Sequence, residues 1–237
     1  MSKPPAKAAS ADVAAFLAKV KAMPALRAPG QAGRLIFALD ATASRQPMWD
    51  RACQLQGEMF LATQGLGPLE VQLVWYRGMG EFEAGAWVRE SRALVAQMTA
   101  VGCRGGQTQI ESVLAHAAQE TRRRKVSALV FVGDAMEEDA DLLARQAGEL
   151  GLLGVPAFMF QEGGDPAVRA AFERIARLSG GAYCPFDARS ADALRDLLAA
   201  VATFAVGGRV ALEDFARRRG GEVLRLTRQF GKPRGAP

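Results

Sequence analysis

Three oxygen-bearing side chains follow one short apolar segment near the start of the chain. Leu35–Leu39 is apolar throughout, which is typical of a strand buried on both faces, and Asp40 follows it directly. Thr42 and Ser44 come next at alternating positions, so one tight turn carries a carboxylate and two hydroxyl groups. Mg²⁺ prefers oxygen ligands of this kind. The spacing therefore predicts a site for a hard divalent cation at the end of the first strand.

Two later segments supply matching oxygen donors. The glycine-rich loop Gly102–Thr108 ends in a threonine where helical spacing begins, and Asp134 follows the apolar run Ser127–Val132 and a glycine. Ligands of open parallel sheets bind at the carboxyl ends of the strands, so we expect these donors to converge beside Asp40, which is expected to be a solvated carboxylate. Carboxylates and hydroxyl groups without nitrogen or sulfur favour Mg²⁺, and they are also compatible with Mn²⁺ or Ca²⁺.

The three segments together resemble the von Willebrand factor type A (VWA) family, also called the integrin I-domain fold. The metal-ion-dependent adhesion site (MIDAS) of that family combines Asp-x-Ser-x-Ser with a distant Thr and a distant Asp. The resemblance covers residues 33–204. This chain departs from the usual pattern by a threonine in place of the first serine and by one extra residue in its Gly-Gly-Gln-Thr loop. The matching metal ligands are Asp40, Thr42, Ser44, Thr108 and Asp134.

The resemblance implies a fold and a function. The fold is α/β: a doubly wound, mostly parallel six-stranded sheet in the order 3-2-1-4-5-6, with an antiparallel edge strand and helices on both faces. The function is a divalent-metal-dependent protein–protein interaction module without catalysis, whose metal captures a carboxylate from a partner. The partner is therefore expected to be a protein presenting Asp or Glu. Intracellular bacterial relatives act alongside AAA+ ATPases or chaperone-like systems, and we expect the same setting here.

Strand and helix patterns alternate along the middle of the chain, as a parallel sheet requires. We divide the chain into a flexible N-terminus with one amphipathic helix at Asp12–Met23 (residues 1–32), a VWA-like domain (33–204) and a basic helical tail (205–237). Strands are predicted at Leu35–Leu39, Leu69–Tyr76, Phe82–Trp87, Ser127–Val132, Val155–Phe160 and Ala182–Phe186. Helices are predicted at Met48–Ala62, Ser91–Thr99, Gln109–Thr121, Asp139–Leu150, Pro166–Leu178, Ser190–Ala202 and Val210–Arg218.

Composition and charge narrow the class of protein. The 237 residues are 49% apolar and 23% charged, as in ordinary globular proteins. The net charge is +5, but the basic runs Arg122–Lys125 and Arg217–Arg219 contain no interleaved aromatic residues. We interpret them as helix ends, and nucleic-acid binding through the basic tail is a weaker alternative.

The sequence lacks long apolar segments and closely spaced cysteines, which bears on localisation and on zinc binding. No apolar stretch is long enough to span a bilayer, and the N-terminus has no apolar core of a signal peptide, so we expect a cytoplasmic protein. The three cysteines have no CxxC spacing, which argues against a zinc site.

A haloacid-dehalogenase-like phosphatase is the alternative among Mg²⁺-dependent enzymes. Those enzymes also place a nucleophilic Asp after a first strand and a Gly-Asp pair after a later one. Their chemistry needs a second acid two residues after the nucleophile, to protonate the leaving group, and Thr42 occupies that position. His116, the single histidine, lies in the middle of a predicted helix, where we expect a structural role.

Charged residues around the predicted site have two interpretations. Glu137, Glu138 and Asp139 follow the last metal ligand, and we interpret them as acids that stabilise the start of the next helix. The alternative is a negative rim that selects basic partners. Arg45 and Arg77 are expected near the same rim and would favour acidic partners.

Overall fold

The computed structural model describes residues 32–186 and 191–218. The helix predicted at Asp12–Met23 and the chain after Arg218 lie outside these residues. Six strands form one sheet: β1 (Gly33–Asp40), β2 (Leu69–Arg77), β3 (Glu81–Ala84), β4 (Ala128–Gly133), β5 (Ala157–Glu162) and β6 (Ala182–Phe186).

The sheet has the order β3-β2-β1-β4-β5-β6. All neighbouring strands run parallel except β2 and β3, which are antiparallel. The predicted strand order and the antiparallel edge strand are therefore confirmed. The edge strand ends at Ala84 rather than Trp87, and beyond it Val88 makes an isolated bridge to Val71.

Seven helices belong to the described part of the chain: α1 (Gln46–Leu55), α2 (Gly57–Ala62), α3 (Ser91–Thr99), α4 (Ile110–Arg123), α5 (Ala140–Leu152), α6 (Pro166–Ser179) and α7 (Ala191–Arg218). A 3₁₀ turn, Ala43–Arg45, precedes α1. The helix predicted at Met48–Ala62 is divided at Gln56, where a tighter bond links Met59 N to Gln56 O (3.1 Å). The buried Gln56 side chain donates to Ser91 Oγ (2.9 Å), which holds the break in place.

The range α7 contains two helical segments that meet at Gly208, whose φ of 65° is non-helical and is accessible to glycine at little cost. The two helices predicted on either side of this glycine are therefore both present, and the first continues beyond Ala202. The predicted domain boundary at residue 204 lies inside the first segment. Val206 and Leu212, one on each side of the kink, are buried in the same apolar core.

The central strand explains why its sequence is apolar throughout. Leu35, Phe37 and Leu39 face one apolar layer, which includes residues of α1 and α7. Ile36 and Ala38 face the other layer, which includes residues of α4, α5 and α6. Both faces of β1 are therefore buried, and only its carboxyl end is left for polar residues. No helix in residues 32–186 and 191–218 is both long and apolar enough to cross a membrane.

Candidate metal centre

The two predicted acidic ligands come from adjacent strands. Leu39 pairs with Val132, so Asp40 lies level with Gly133, and Asp134 follows one residue later. A Cβ atom placed on Gly133 would lie 3.8 Å from the Cβ of Asp40. Asp40 is only 2% exposed, so the expectation of a solvated carboxylate is wrong. The reason is its place at the end of a central strand, flanked by β2 and β4.

The Asp40 carboxylate is only half satisfied by the protein. Its Oδ1 accepts a hydrogen bond from Thr42 N (2.7 Å). Its Oδ2 is buried and accepts no hydrogen bond of normal geometry from the described residues, while the hydroxyl groups of Thr42 and Tyr76 lie close enough to the carboxylate to affect its ionisation. Burial raises the pKa of Asp40, and the nearby charge of Asp134 raises it further, against the opposing effects of Thr42 and Arg45. A buried carboxylate oxygen without a donor is chemically suited to a cation.

The two hydroxyl residues lie on the turn that follows Asp40. Thr42 is half-buried and Ser44 is exposed. Arg45 N donates to Thr42 O (2.9 Å), which closes the 3₁₀ turn carrying Ser44. Carboxylate and hydroxyl groups therefore leave the same strand end within five residues, as the spacing predicted.

The glycine-rich loop is held against two neighbouring turns. Arg104 N donates to Ala41 O (3.0 Å), and Gln107 N donates to Gly78 O (3.1 Å). A Cβ atom on Gly106 would lie 2.1 Å from Gly78 O, so only glycine fits this close approach of two backbones. The loop thus brings Thr108 to the same edge of the sheet, where it is 7% exposed.

Thr108 is engaged by two acids that follow Asp134. Its hydroxyl donates to Glu138 Oε2 (2.5 Å) and accepts from Glu137 N (2.8 Å). Its backbone N–H donates to Glu137 Oε2 (3.0 Å), and Ile110 N donates to Glu138 Oε1. The structure therefore attaches Thr108 to the β4–α5 loop and gives it Glu138 as its direct acidic partner.

The predicted role of the three acids is correct for only one of them. Asp139 accepts hydrogen bonds from Asp141 N (2.8 Å) and Leu142 N (3.0 Å), and so caps its own helix, α5. Glu137 and Glu138 instead bind backbone groups at the start of α4. Local sequence suggested the nearest helix, whereas the sheet order places the amino end of α4 beside this loop.

Arg45 lies inside the site instead of on its rim. It is 2% exposed, and its Nη1 lies 3.3 Å from Asp134 Oδ2 and also pairs with Glu162 at the end of β5. Arg77 does lie at the edge, where it pairs with Glu81 (2.7 Å) and donates to Gly102 O. Sequence reasoning missed Glu162 altogether. Its one signal was its position as a polar residue at a strand end.

The donor set determines which cation fits. In the described part of the chain, no three His, Cys, Asp or Glu side chains cluster closely enough to hold a metal alone. A cation at Asp40 and Asp134 would therefore depend on the hydroxyl groups of Thr42 and Ser44 and on water. Mg²⁺ keeps several waters and accepts one or two carboxylates, so these residues fit it.

Residues with other conceivable chemistry have structural roles. His116 Nε2 lies 2.9 Å from Gln72 Oε1, its ring packs near Phe82, and burial lowers its pKa.

The run Arg122–Lys125 ends α4 as predicted: Arg122 and Arg123 pair with glutamates, and Lys125 Nζ donates to Leu153 O (2.6 Å). Burial raises the pKa of the Cys103 thiol to about 11, so it is not activated.

Comparisons with known proteins agree on the fold. No family model and no curated protein matches the sequence. The VWA domain of SpRpn10 superposes with a TM-score of 0.56 at 11% identity, over 69% of this chain and 94% of that one. A von Willebrand factor type A protein from Catenulispora acidiphila superposes with a TM-score of 0.58 at 15% identity, over 75% of this chain and 43% of that one. The ArnB paralog VWA2 from Sulfolobus acidocaldarius superposes with a TM-score of 0.51 at 12% identity, over 72% of this chain and 45% of that one.

These similarities and the strand order establish a VWA-type α/β fold for this chain. At 11–15% identity they establish the fold alone.

Proposed function

We propose that this protein is an interaction module that binds Mg²⁺ at the end of β1 and uses it to capture an acidic side chain of a protein partner. Asp40, Thr42, Ser44 and Asp134 would hold the ion, with Mn²⁺ or Ca²⁺ as substitutes. Thr108 would contribute from the adjoining loop, where its hydroxyl now serves Glu138. The observation that carries this proposal is the buried carboxylate of Asp40, which lies at the strand end next to that of Asp134 and whose Oδ2 accepts no hydrogen bond of normal geometry within the described residues.

The chemistry of the donors explains why a partner carboxylate would bind. Hydroxyl groups are neutral ligands, whereas each carboxylate carries a negative charge. A divalent cation held partly by hydroxyl groups therefore keeps an affinity for a further anionic ligand. Ser44 is exposed, so the ion would be accessible from solvent. A cytoplasmic AAA+ ATPase or chaperone-like protein that presents Asp or Glu is the kind of partner we propose.

The same residues argue against the phosphatase. Thr42 stands where the leaving-group acid would be required, and a threonine hydroxyl does not protonate a leaving group at neutral pH. Asp134 is paired with Arg45. We therefore propose a binding role without catalysis.

Titration calorimetry of Mg²⁺ into the metal-free full chain tests the proposal. We expect saturable binding in the wild type and none in Asp40→Asn, because the amide removes the anionic ligand. Asp50→Asn is the matched control, since Asp50 is an exposed acid on α1 that bonds to Gln46 (2.8 Å), and it should bind like the wild type. Absence of Mg²⁺ binding in the wild type, or hydrolysis of para-nitrophenyl phosphate that requires Asp40, would overturn it.

A further inference from the structure

Arg45 is held in an unusual way for a buried arginine. Its side chain is 3% exposed, and a single nitrogen, Nη1, serves both Asp134 and Glu162. Its Nε and Nη2 are buried, and the described residues provide no acceptor for either. A guanidinium group normally uses its fork of donors in a bidentate pair. The two carboxylates therefore hold Arg45 through Nη1 alone, and its Nε and Nη2 have no hydrogen-bond acceptor among the described residues.

The surrounding charges explain why Arg45 is retained. Asp40 and Asp134 lie at the ends of adjacent strands, and Glu138 lies four residues after Asp134 on the same loop, so several acids share this end of the sheet. Several carboxylates in one place repel each other unless a cation lies among them. Arg45 is the positive side chain paired with Asp134 within the described chain, so it occupies the electrostatic role of a metal ion.

We infer that Arg45 is a built-in competitor of the divalent cation and that Glu162 decides the outcome of the competition. The inference rests on the proposed function. In the metal-free protein the guanidinium neutralises Asp134. When Mg²⁺ takes Asp134, the guanidinium keeps Glu162 as its counter-ion at the end of β5. Arg45 therefore sets the Mg²⁺ affinity of the site. It pairs with both Asp134 and Glu162 in the metal-free protein and with Glu162 alone when the ion is bound.

Two substitutions should change the Mg²⁺ affinity in opposite directions. Arg45→Met removes the competitor, so we expect Mg²⁺ to bind about tenfold more tightly. Glu162→Gln leaves Asp134 as the one anionic partner of Arg45, so we expect binding roughly threefold weaker. Calorimetric titration of Mg²⁺ into each full-length variant measures both. Arg104→Met, which removes an exposed positive charge from the neighbouring loop, is the control and should change the affinity less than about twofold.

A double substitution separates competition from a simple field effect. If Glu162 acts through Arg45, then Glu162→Gln should lose its effect in the Arg45→Met background. If Glu162 acts only through its charge, its effect should persist or grow once the neutralising arginine is gone, and that result would overturn the inference. Should Arg45→Met fail to fold, Arg45→Gln replaces it in both comparisons because the amide also removes the positive charge, and unchanged or tighter binding of Mg²⁺ by Glu162→Gln contradicts competition in either case.

The outcomes also distinguish this inference from the proposed function. Binding by the wild type that is unchanged or weakened in Arg45→Met would overturn the competition but leave the metal-dependent module intact. Binding by Arg45→Met and not by the wild type would support the competition and overturn metal-dependent binding by the natural chain. No Mg²⁺ binding by either protein would overturn both.

Discussion

Both ends of the central strands bury charged side chains, but the carboxylates at the amino end have cationic partners, whereas Asp40 at the carboxyl end has none at hydrogen-bond distance among the residues that the structure describes. There, Arg34 of β1 lies 3.5 Å from Glu70 of β2. Glu70 also receives Arg89 (2.5 Å) and Arg124 (2.9 Å), so each of its oxygens has a cationic partner. At the carboxyl end of the same strands, Asp40 Oδ2 is buried without a hydrogen bond of normal geometry from the described chain. The buried carboxylate of Glu70 is thus paired at both oxygens, whereas that of Asp40 is paired at one.

The pKa shifts have opposite directions at the two ends. Burial opposes ionisation of Glu70, but hydrogen bonds from Arg89 and the charges of Arg124 and Arg34 prevail and lower its pKa. Burial raises the pKa of Asp40, and its hydrogen bonds to Thr42 do not offset that effect. Buried charges that are paired stabilise the fold, whereas a buried carboxylate oxygen without a hydrogen bond carries a desolvation penalty that a bound ligand can reduce. We therefore attribute a role in stability to the amino end, and the binding role proposed above to the carboxyl end.

Loss of Glu70 should have the largest effect on stability. Glu70→Ala leaves the buried Arg34 guanidinium with fewer counter-ions, so we expect the free energy of unfolding to fall by about 3 kcal/mol. Urea denaturation measures it. Glu149→Ala, which removes the partner of the exposed Arg122, should cost less than about 0.5 kcal/mol. Equal losses in the two variants would break the assignment of the amino end to folding.

Gly106→Ala should disturb the carboxyl end at an intermediate cost. The added methyl group would lie 2.1 Å from Gly78 O, so the loop must move and carry Thr108 with it. We expect a loss of about 2 kcal/mol in stability, together with weaker Mg²⁺ binding. Gly105→Ala is the control, because a Cβ atom there meets no atom within 4 Å. Normal Mg²⁺ binding by Gly106→Ala would separate the loop from the site.

Asp40→Asn should stabilise the metal-free protein, in contrast to Glu70→Ala. We expect a gain of about 1 kcal/mol at neutral pH, because the amide removes a buried charge. The folded pKa of Asp40 lies above its ordinary value of 3.8, so its ionisation opposes folding as the pH rises from 3.8 through the folded pKa. The gain should therefore vanish in acid and grow towards neutral pH.

The pH dependence of Glu70 has the opposite sign. Its folded pKa lies below the ordinary 4.5, so its contribution is complete above pH 4.5 and is lost as the pH falls through the folded pKa. Urea denaturation of both variants between pH 3 and pH 7, in roughly unit steps, checks the two trends. Parallel trends in the two variants would contradict the comparison.

Local sequence was sufficient for the fold class. The uniformly apolar β1 required a strand buried on both faces, and the alternation of strands and helices required a parallel sheet. Polar residues directly after β1 and β4 pointed to one edge of that sheet. Gln56 escaped prediction because a break inside a continuous helical pattern depends on what the neighbouring elements pack against, whereas Gly207 and Gly208 marked the break between the last two helices.

The sequence by itself therefore determined the strand order through its resemblance, and which strand ends carry Asp40, Thr42, Ser44 and Asp134. Only the tertiary structure decided how charges pair across those ends. Arg45 meets Glu162, and Thr108 meets Glu138, across separations of 117 and 30 residues. Such pairs leave no local pattern, since hydrophobic periodicity reports burial of an element's face and carries no information about which distant side chain an ion will meet.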